Sequence, residues 1–332
     1  MEQSNQQIVF TRQDSNVFKG LAIFLMLVHH LFYVRNGSYD DILFFKNCYL
    51  VNQIAILSKI CVVFFCFLSG YGLAVQAEKK NGIVGNLKDF YLHRFKKLYL
   101  NYWFIWVIFV PISYFCFGIT FTNVYHNQIG WHLIADLLGI HYLVFGTYGY
   151  NPTWWFYSCI ILLYLLFPVI FKMIKREPLL LLLSTLIISY LPIPFIDVIQ
   201  FNIFAFALGI WAVGKTLINR NKWFAFIVLL FFCILRNINS YPYLIDCIIV
   251  LVLTFAYKMT HTPKSITNAF AFLGHHSMNI FLFHTFIYSM WFHSFIYASR
   301  NPIVITLLLF AICIPISIIL EFIKKYTIYI LL

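Results

Sequence analysis

The sequence predicts an all-α fold, a polytopic membrane bundle of about ten transmembrane helices, as one domain over residues 1–332. Three observations predict it. Of the 332 residues, 62% are hydrophobic and 20% aromatic against 10% charged, more apolar surface than a soluble core absorbs. The apolar residues gather into ten stretches of roughly membrane length. Lysine and arginine gather in alternate loops.

The elements follow in order. Met1 to Asn16 is polar, and no small-residue cleavage site follows the first apolar run, 18–35, which reads as an uncleaved span. The next spans are 55–77, 96–117, 153–172, 178–191, 199–217, 223–236, 242–258, 276–296 and 302–325. The fifth and seventh are short for a full crossing and fit a tilted or partly re-entrant path. In the longest connection, 118–152, Trp131 to Ile140 reads as a short interfacial helix. Asn151-Pro152-Thr153 reads as the turn into the fourth span.

Charge fixes the orientation. With the N-terminus inside, 18 of the 23 Lys and Arg residues fall in inward loops, and only Arg35, Lys46, Lys59, Arg236 and Arg300 fall outward. Ten crossings with both termini cytoplasmic follow. The net charge of +12 then belongs to loops facing an anionic leaflet, not to a nucleic-acid surface. The eight cysteines, Cys48, Cys61, Cys66, Cys116, Cys159, Cys233, Cys247 and Cys313, show no CxxC or zinc spacing. They read as small buried apolar side chains, and no metal site is expected.

Candidate functional residues sit inside the spans. Lys19 and His30 are eleven residues apart, about three turns, so they share a face to within roughly 20° and are separated by roughly 16 Å along the axis. With Lys19 at one membrane surface, His30 is expected near mid-bilayer, where an ionisable group marks function. His29 points about 100° away. The second span ends Phe64-Phe65-Cys66-Phe67-Leu68-Ser69-Gly70-Tyr71-Gly72, whose small residues equally serve close helix packing. The third opens His93-Arg94-Phe95-Lys96-Lys97; Arg94 and Lys97 share a face at the positive end of an outward-running helix, a cradle for phosphate. The same cations also serve topology.

The fourth span opens Trp154-Trp155-Phe156, which fits an interfacial belt as well as a binding role, and closes at Tyr164 to Pro168. Before the ninth span stands Leu273-Gly274-His275-His276-Ser277-Met278-Asn279, and His284 lies within it. A lone intramembrane histidine often serves helix-to-helix hydrogen bonding. Counted from the cytoplasmic ends, however, Ser69, Tyr164 and His284 all lie roughly 12 Å deep and His30 roughly 16 Å. That convergence predicts a hydrated cavity open to the cytosol, with Arg94 and Lys97 at its mouth.

In these residues the chain resembles the membrane-integral acyltransferase family 3, which O-acylates bacterial surface polysaccharides, across essentially all ten spans. The matching elements are Lys19-Gly20 with His30; Phe64, Phe65, Ser69, Gly70 and Tyr71; Arg94 with Lys97; and Leu273, Gly274 and Ser277 followed by His284. Lys19 and Lys97 stand where many members have arginine, and the two cations are not equivalent for bidentate phosphate binding. Ile160 and Ile161 stand where many members carry acidic residues; members lacking them occur in the capsule and exopolysaccharide branches, which this chain resembles more.

The resemblance implies an O-acetyl- or acyltransferase of the cell membrane. Its donor is cytosolic acyl-CoA, acetyl-CoA foremost, with no permanently bound cofactor, and its acceptor is a hydroxyl of a polysaccharide or lipid-linked glycan. Membrane lipids are the other expected partner, and nucleic acid is not one. On this reading Arg94, Lys97 and Lys19 hold the donor phosphates, and His30 serves as general base or acyl relay. His284 or Ser69 orients His30 or steadies the oxyanion. Ser69, Trp155 and Tyr164 are the candidate substrate contacts, Trp155 by stacking on a sugar. The alternative is a non-catalytic lipid-linked glycan translocase, for which the outward cations are sparse. A glycan polymerase fits less well, because the 118–152 connection contains no Arg or Lys.

Overall fold

The computed structural model describes residues 10–34, 37–40, 49–79, 87–191, 193, 197–215, 222–238, 242–258, 260 and 262–327. Every regular element among them is helical. Helix α1 (Arg12–Phe32) is followed by α2 (Leu50–Ser58), α3 (Cys61–Lys79) and α4 (Leu87–Phe117). Three short helices, α5 (Phe121–Tyr125), α6 (Ile129–Leu137) and α7 (His141–Phe145), make a cap over the connection to α8 (Trp155–Arg176). Then come α9 (Pro178–Ile188), α10 (Asp197–Gln200), α11 (Ile203–Trp211), α12 (Lys222–Ile238) and α13 (Tyr243–Tyr257). The chain closes with α14 (Lys264–His275), α15 (Ser277–Thr285), a π-helical turn (Phe286–Trp291), α16 (His293–Ile296) and α17 (Pro302–Thr327).

By length and composition five stretches can cross a membrane: Arg12–Phe32, Leu50–Lys79, Leu87–Phe117, Pro152–Arg176 and Pro302–Thr327. Shorter apolar helices cover Pro178–Ile188, Asp197–Trp211, Trp223–Arg236 and Tyr243–Tyr257. Residues 80–86 of the basic connection between the second and third spans lie outside the described residues, as do Arg35, Lys46 and Cys48.

Local chemistry sets where helices begin. Thr11 and Asp14 form a capping box: Asp14 N–H donates to the Thr11 hydroxyl at 3.2 Å and Thr11 N–H to the Asp14 carboxylate at 2.6 Å. Lys258 also pairs with Asp14, tying the end of α13 to the start of α1. Asn151 caps a 3-10 turn, its side-chain oxygen accepting from Thr153 N–H at 3.0 Å with Pro152 in the first turn, and this turn leads into α8 as the sequence predicts. The cap helix α6 falls on the expected interfacial stretch, shifted to Ile129–Leu137.

Two glycine pairs set the central crossings. A Cβ on Gly20 would lie 1.9 Å from the Phe270 carbonyl oxygen, and one on Gly274 would lie 1.9 Å from the Asn16 oxygen. Helices α1 and α14 therefore touch backbone to backbone. Gly70 and Gly209 do the same for α3 and α11, with Cβ positions 2.2 Å and 2.1 Å from the Phe206 and Phe67 oxygens.

Two of the five cations assigned outward are directly neutralised. Arg236 is buried and donates to Asp246 at 3.0 Å, bridging α12 and α13. Arg300 makes a forked pair with Asp40, closest at 2.6 Å.

Candidate functional site

Helix α1 delivers His29 and His30 in its last turn, because the helix ends at Phe32. His30 thus stands near one end of a helix roughly 31 Å long rather than halfway along it. Opposite it stands His284, fully buried in the last turn of α15. The two rings are 5.1 Å apart, centroid to centroid, at 44°. His30 keeps some accessible surface, while His284 has none.

The surrounding bonds fix the tautomers. His284 Nδ1 lies 3.0 Å from both the Ile280 and Phe281 carbonyl oxygens, which only accept, so Nδ1 carries the proton. Nε2 is then a free acceptor, 3.4 Å from the Thr285 hydroxyl. His29 is held likewise, Nδ1–H donating to the Ala55 oxygen of α2 at 2.8 Å. Tyr288 adds a third ring. It lies parallel to His284 at 5.9 Å and 6.4 Å from His30.

Polar side chains brace the α15 side of this group. Trp154 Nε1–H donates to the Leu282 oxygen at 2.9 Å, and Asn151 donates to the same oxygen at 3.3 Å. Thr153 and Thr285 share a hydroxyl contact at 3.3 Å. At the other end of α15, Asn279 donates to Glu321 at 2.7 Å and to the Ser317 hydroxyl at 3.1 Å, and that hydroxyl meets His276 Nδ1 at 2.9 Å. The buried Lys324 caps the network on Asn279 and on Asn101, the latter at 2.8 Å. Helix α15 is therefore pinned to α4, to the turn that leads into α8, and to α17.

A second group forms at the Lys19 end of α1. Lys19 lies within electrostatic reach of Lys97 and Arg12. One turn before Lys97 on α4, Arg94 hydrogen-bonds Gln76, lies 6.0 Å from the Phe90 ring and feels the Tyr164 hydroxyl. Tyr164 in turn shares a hydrogen bond with Ser69. The structure thus joins Arg94, Ser69 and Tyr164, with Lys19 and Lys97 close by, and it places Ser69 on Tyr164 rather than on His30. Trp155 belongs to neither group: its ring lies 6.5 Å from Tyr142 of α7. The neighbouring Trp154 reaches α15 instead.

Sequence reasoning missed Tyr288, Trp154, Asn151 and Thr285. The i to i+4 spacing of His284 and Tyr288 was a usable signal, but the π-helical turn that aligns them leaves none.

The cap holds a further cluster. His141 Nδ1 meets the Thr147 oxygen at 3.0 Å, and its Nε2 lies 2.8 Å from His132 Nδ1, so each Nδ1 donates. Buried Asp136 accepts from Tyr125 and from Tyr150 N–H, the latter at 2.6 Å, and burial pushes its carboxyl up to about 6. His132 and His141 are both lowered, chiefly by desolvation.

Fold and site together define a helical membrane protein with a facing imidazole pair at one end of its first helix and a basic cluster at the other. A family model described as an acyltransferase domain, Acyl_transf_3, matches residues 12–322. The chain belongs to this acyltransferase 3 family and is a membrane acyltransferase. No curated protein and no solved structure matches it.

Proposed function

We propose that the protein moves an acetyl group from cytosolic acetyl-CoA to a hydroxyl of a cell-surface or lipid-linked polysaccharide, in a cell membrane crossed ten times with both termini inside. The facing of His30 and His284 across 5.1 Å carries this reading. An imidazole whose proton is held on Nδ1 by backbone carbonyls leaves Nε2 as an acceptor beside His30, by which His284 would orient it, and His30 is the group with accessible surface. Neutral imidazole is matched to taking a hydroxyl proton. The acceptor oxygen attacks the thioester carbonyl, its proton passes to His30, the carbon–sulfur bond breaks, and the proton is returned to the leaving thiolate. Alternatively His30 first takes the acyl group itself.

Arg94, Lys97 and Lys19 supply the positive charge that the donor's phosphates need. Ser69 and Tyr164 border that mouth and would meet the donor's pantetheine arm. Trp155, beside Tyr142, is the stacking surface for a sugar away from the imidazoles.

The test is labelled acetyl transfer from acetyl-CoA in native membranes, wild type beside His30→Ala. The variant should lose at least about a thousandfold in rate. Unchanged glycan acetylation with glycan export abolished would point to a translocase and overturn the proposal.

A further inference from the structure

Tyr288 keeps accessible surface, and its hydroxyl meets no backbone carbonyl, unlike those of most buried tyrosines. Tyr39, Tyr102, Tyr150 and Tyr297 each donate to a backbone carbonyl, those of Phe32, Asp136, Ile119 and Leu31, at 2.7, 2.5, 2.6 and 2.8 Å. Among the described residues the Tyr288 hydroxyl has no such partner. The Tyr157 hydroxyl also lacks a partner, but it is sealed in the core, whereas the Tyr288 hydroxyl is not and is open to a ligand.

The backbone beneath it is also unusual. Phe286–Trp291 is the one π-helical turn among the described residues, closed by Phe292 N–H on the Ile287 oxygen at 3.1 Å. Such turns are rare and recur at functional sites, because the extra residue re-aims the side chains that follow. Here the turn begins two residues after His284. It sets the Tyr288 ring parallel to His284, at 14° and 5.9 Å, and 6.4 Å from His30. His30 and Tyr288 both keep accessible surface, whereas His284 beside them is sealed. His30 and Tyr288, 6.4 Å apart, are thus the two accessible rings of this trio.

We propose that Tyr288 is a catalytic residue, its O–H donating a hydrogen bond to the acyl carbonyl oxygen as that oxygen gains charge during transfer. The assignment rests on the acyl-transfer reading of His30. In the step, the acceptor hydroxyl loses its proton to His30 and its oxygen bonds to the acyl carbon. The carbonyl oxygen carries the negative charge against the Tyr288 O–H. Collapse expels the CoA thiolate, which takes the proton from His30. Tyr288 keeps its own proton throughout.

The experiment uses the full-length protein in native membranes, with labelled acetyl-CoA as donor and the membranes' own glycan as acceptor. Tyr288→Phe should lower the maximal rate of glycan labelling about a hundredfold and leave KM for acetyl-CoA within twofold. Loss of a carbonyl-oxygen donor acts on the transition state, not on donor binding. Fluorotyrosines at 288, which keep the ring and make the O–H more acidic, guard against misfolding: rates restored well above Tyr288→Phe support the role. A Tyr288→Phe rate within twofold of wild type, or fluorotyrosine rates no better than the phenylalanine variant, removes Tyr288 and leaves His30 standing. Absence of transfer by the wild type fells both assignments.

Discussion

An imidazole acts as a base only when one nitrogen is committed as donor and the other is left open. The backbone decides this for His284 and His29, and in the cap for His141 and through it His132. Eleven-residue spacing made the Lys19 and His30 face readable, because three helical turns return to the same side whatever surrounds the helix. Depth counting was weaker. It put Ser69, Tyr164, His284 and His30 in one layer, but distance along an axis does not say which helices are neighbours, and Ser69 went to Tyr164. In the cap, Asp136 yields a pH prediction. Its carboxyl is pushed from an ordinary 3.8 to about 6 because burial penalises the charge more than Tyr125 and Tyr150 relieve it. A raised carboxyl pKa means the folded cap holds the proton more tightly than the unfolded chain. That stability is present below about pH 4 and is lost as pH rises through about 6, amounting to about 3 kcal/mol at most. His132 and His141, both lowered, run the other way: they favour the fold when neutral and weaken it as pH falls below the ordinary histidine range. The difference between wild type and Asp136→Asn isolates the carboxyl. The stability of wild type relative to the variant, read by thermal unfolding in detergent, should fall between pH 4 and pH 7; a constant difference contradicts the assignment.

At the scale of elements, the motif glycines Gly20, Gly70 and Gly274 position the site rather than touch it. Each lies where a backbone carbonyl of another helix occupies the place of a Cβ. Gly20 and Gly274 belong to separate sequence motifs, and the crossing of α1 and α14 brings them together. The apolar pattern opens the ninth span at residue 276, whereas the structure adds a helix before it, α14. Lys264, Ser265, Thr267 and Asn268 make the first turns too polar to signal a span, and the helix is legible only once the face carrying Gly274 has a partner. Because α14 continues through His276 into α15, spreading this crossing moves His284 relative to His30. Gly274→Ala puts a methyl where the Asn16 carbonyl stands, and neither backbone can yield without parting the helices. The substitution should destabilise the protein by about 2 kcal/mol and cut transfer by tenfold or more. Gly72→Ala, which meets open space, is the control and should leave both unchanged. Equal melting temperatures for Gly274→Ala and Gly72→Ala would show that the crossing tolerates a side chain.

Across the whole molecule, orientation is the property on which donor and acceptor access depends. The charge bias predicts it, and the exceptions make physical sense. Arg236 is neutralised by Asp246 and Arg300 by Asp40, so neither acts as a free cation holding its loop inside. Lys59 is also within electrostatic reach of Asp246. What composition could not supply is how many of the shorter helices cross. Pro178–Ile188 spans only roughly 16 Å, about half a hydrocarbon core, so it crosses only together with its flanks or not at all. Substituted-cysteine labelling decides this. In a chain whose exposed Cys116 is replaced by serine, single cysteines at the exposed positions Lys79, Asn127 and Tyr326 are treated with a membrane-impermeant maleimide before and after permeabilisation. Asn127 should label on intact cells, since the single pass of α4 separates the cap from the Lys79 end. Lys79 and Tyr326 should label only after permeabilisation, because the ten crossings proposed above would return the chain to its starting side. Labelling of Tyr326 on intact cells would mean an odd number of crossings, placing the Lys324 network and the Lys19 cluster on opposite sides. The hydrogen bond of Lys324 to Asn101, one turn from Lys97, is the contact that supports the same-side outcome.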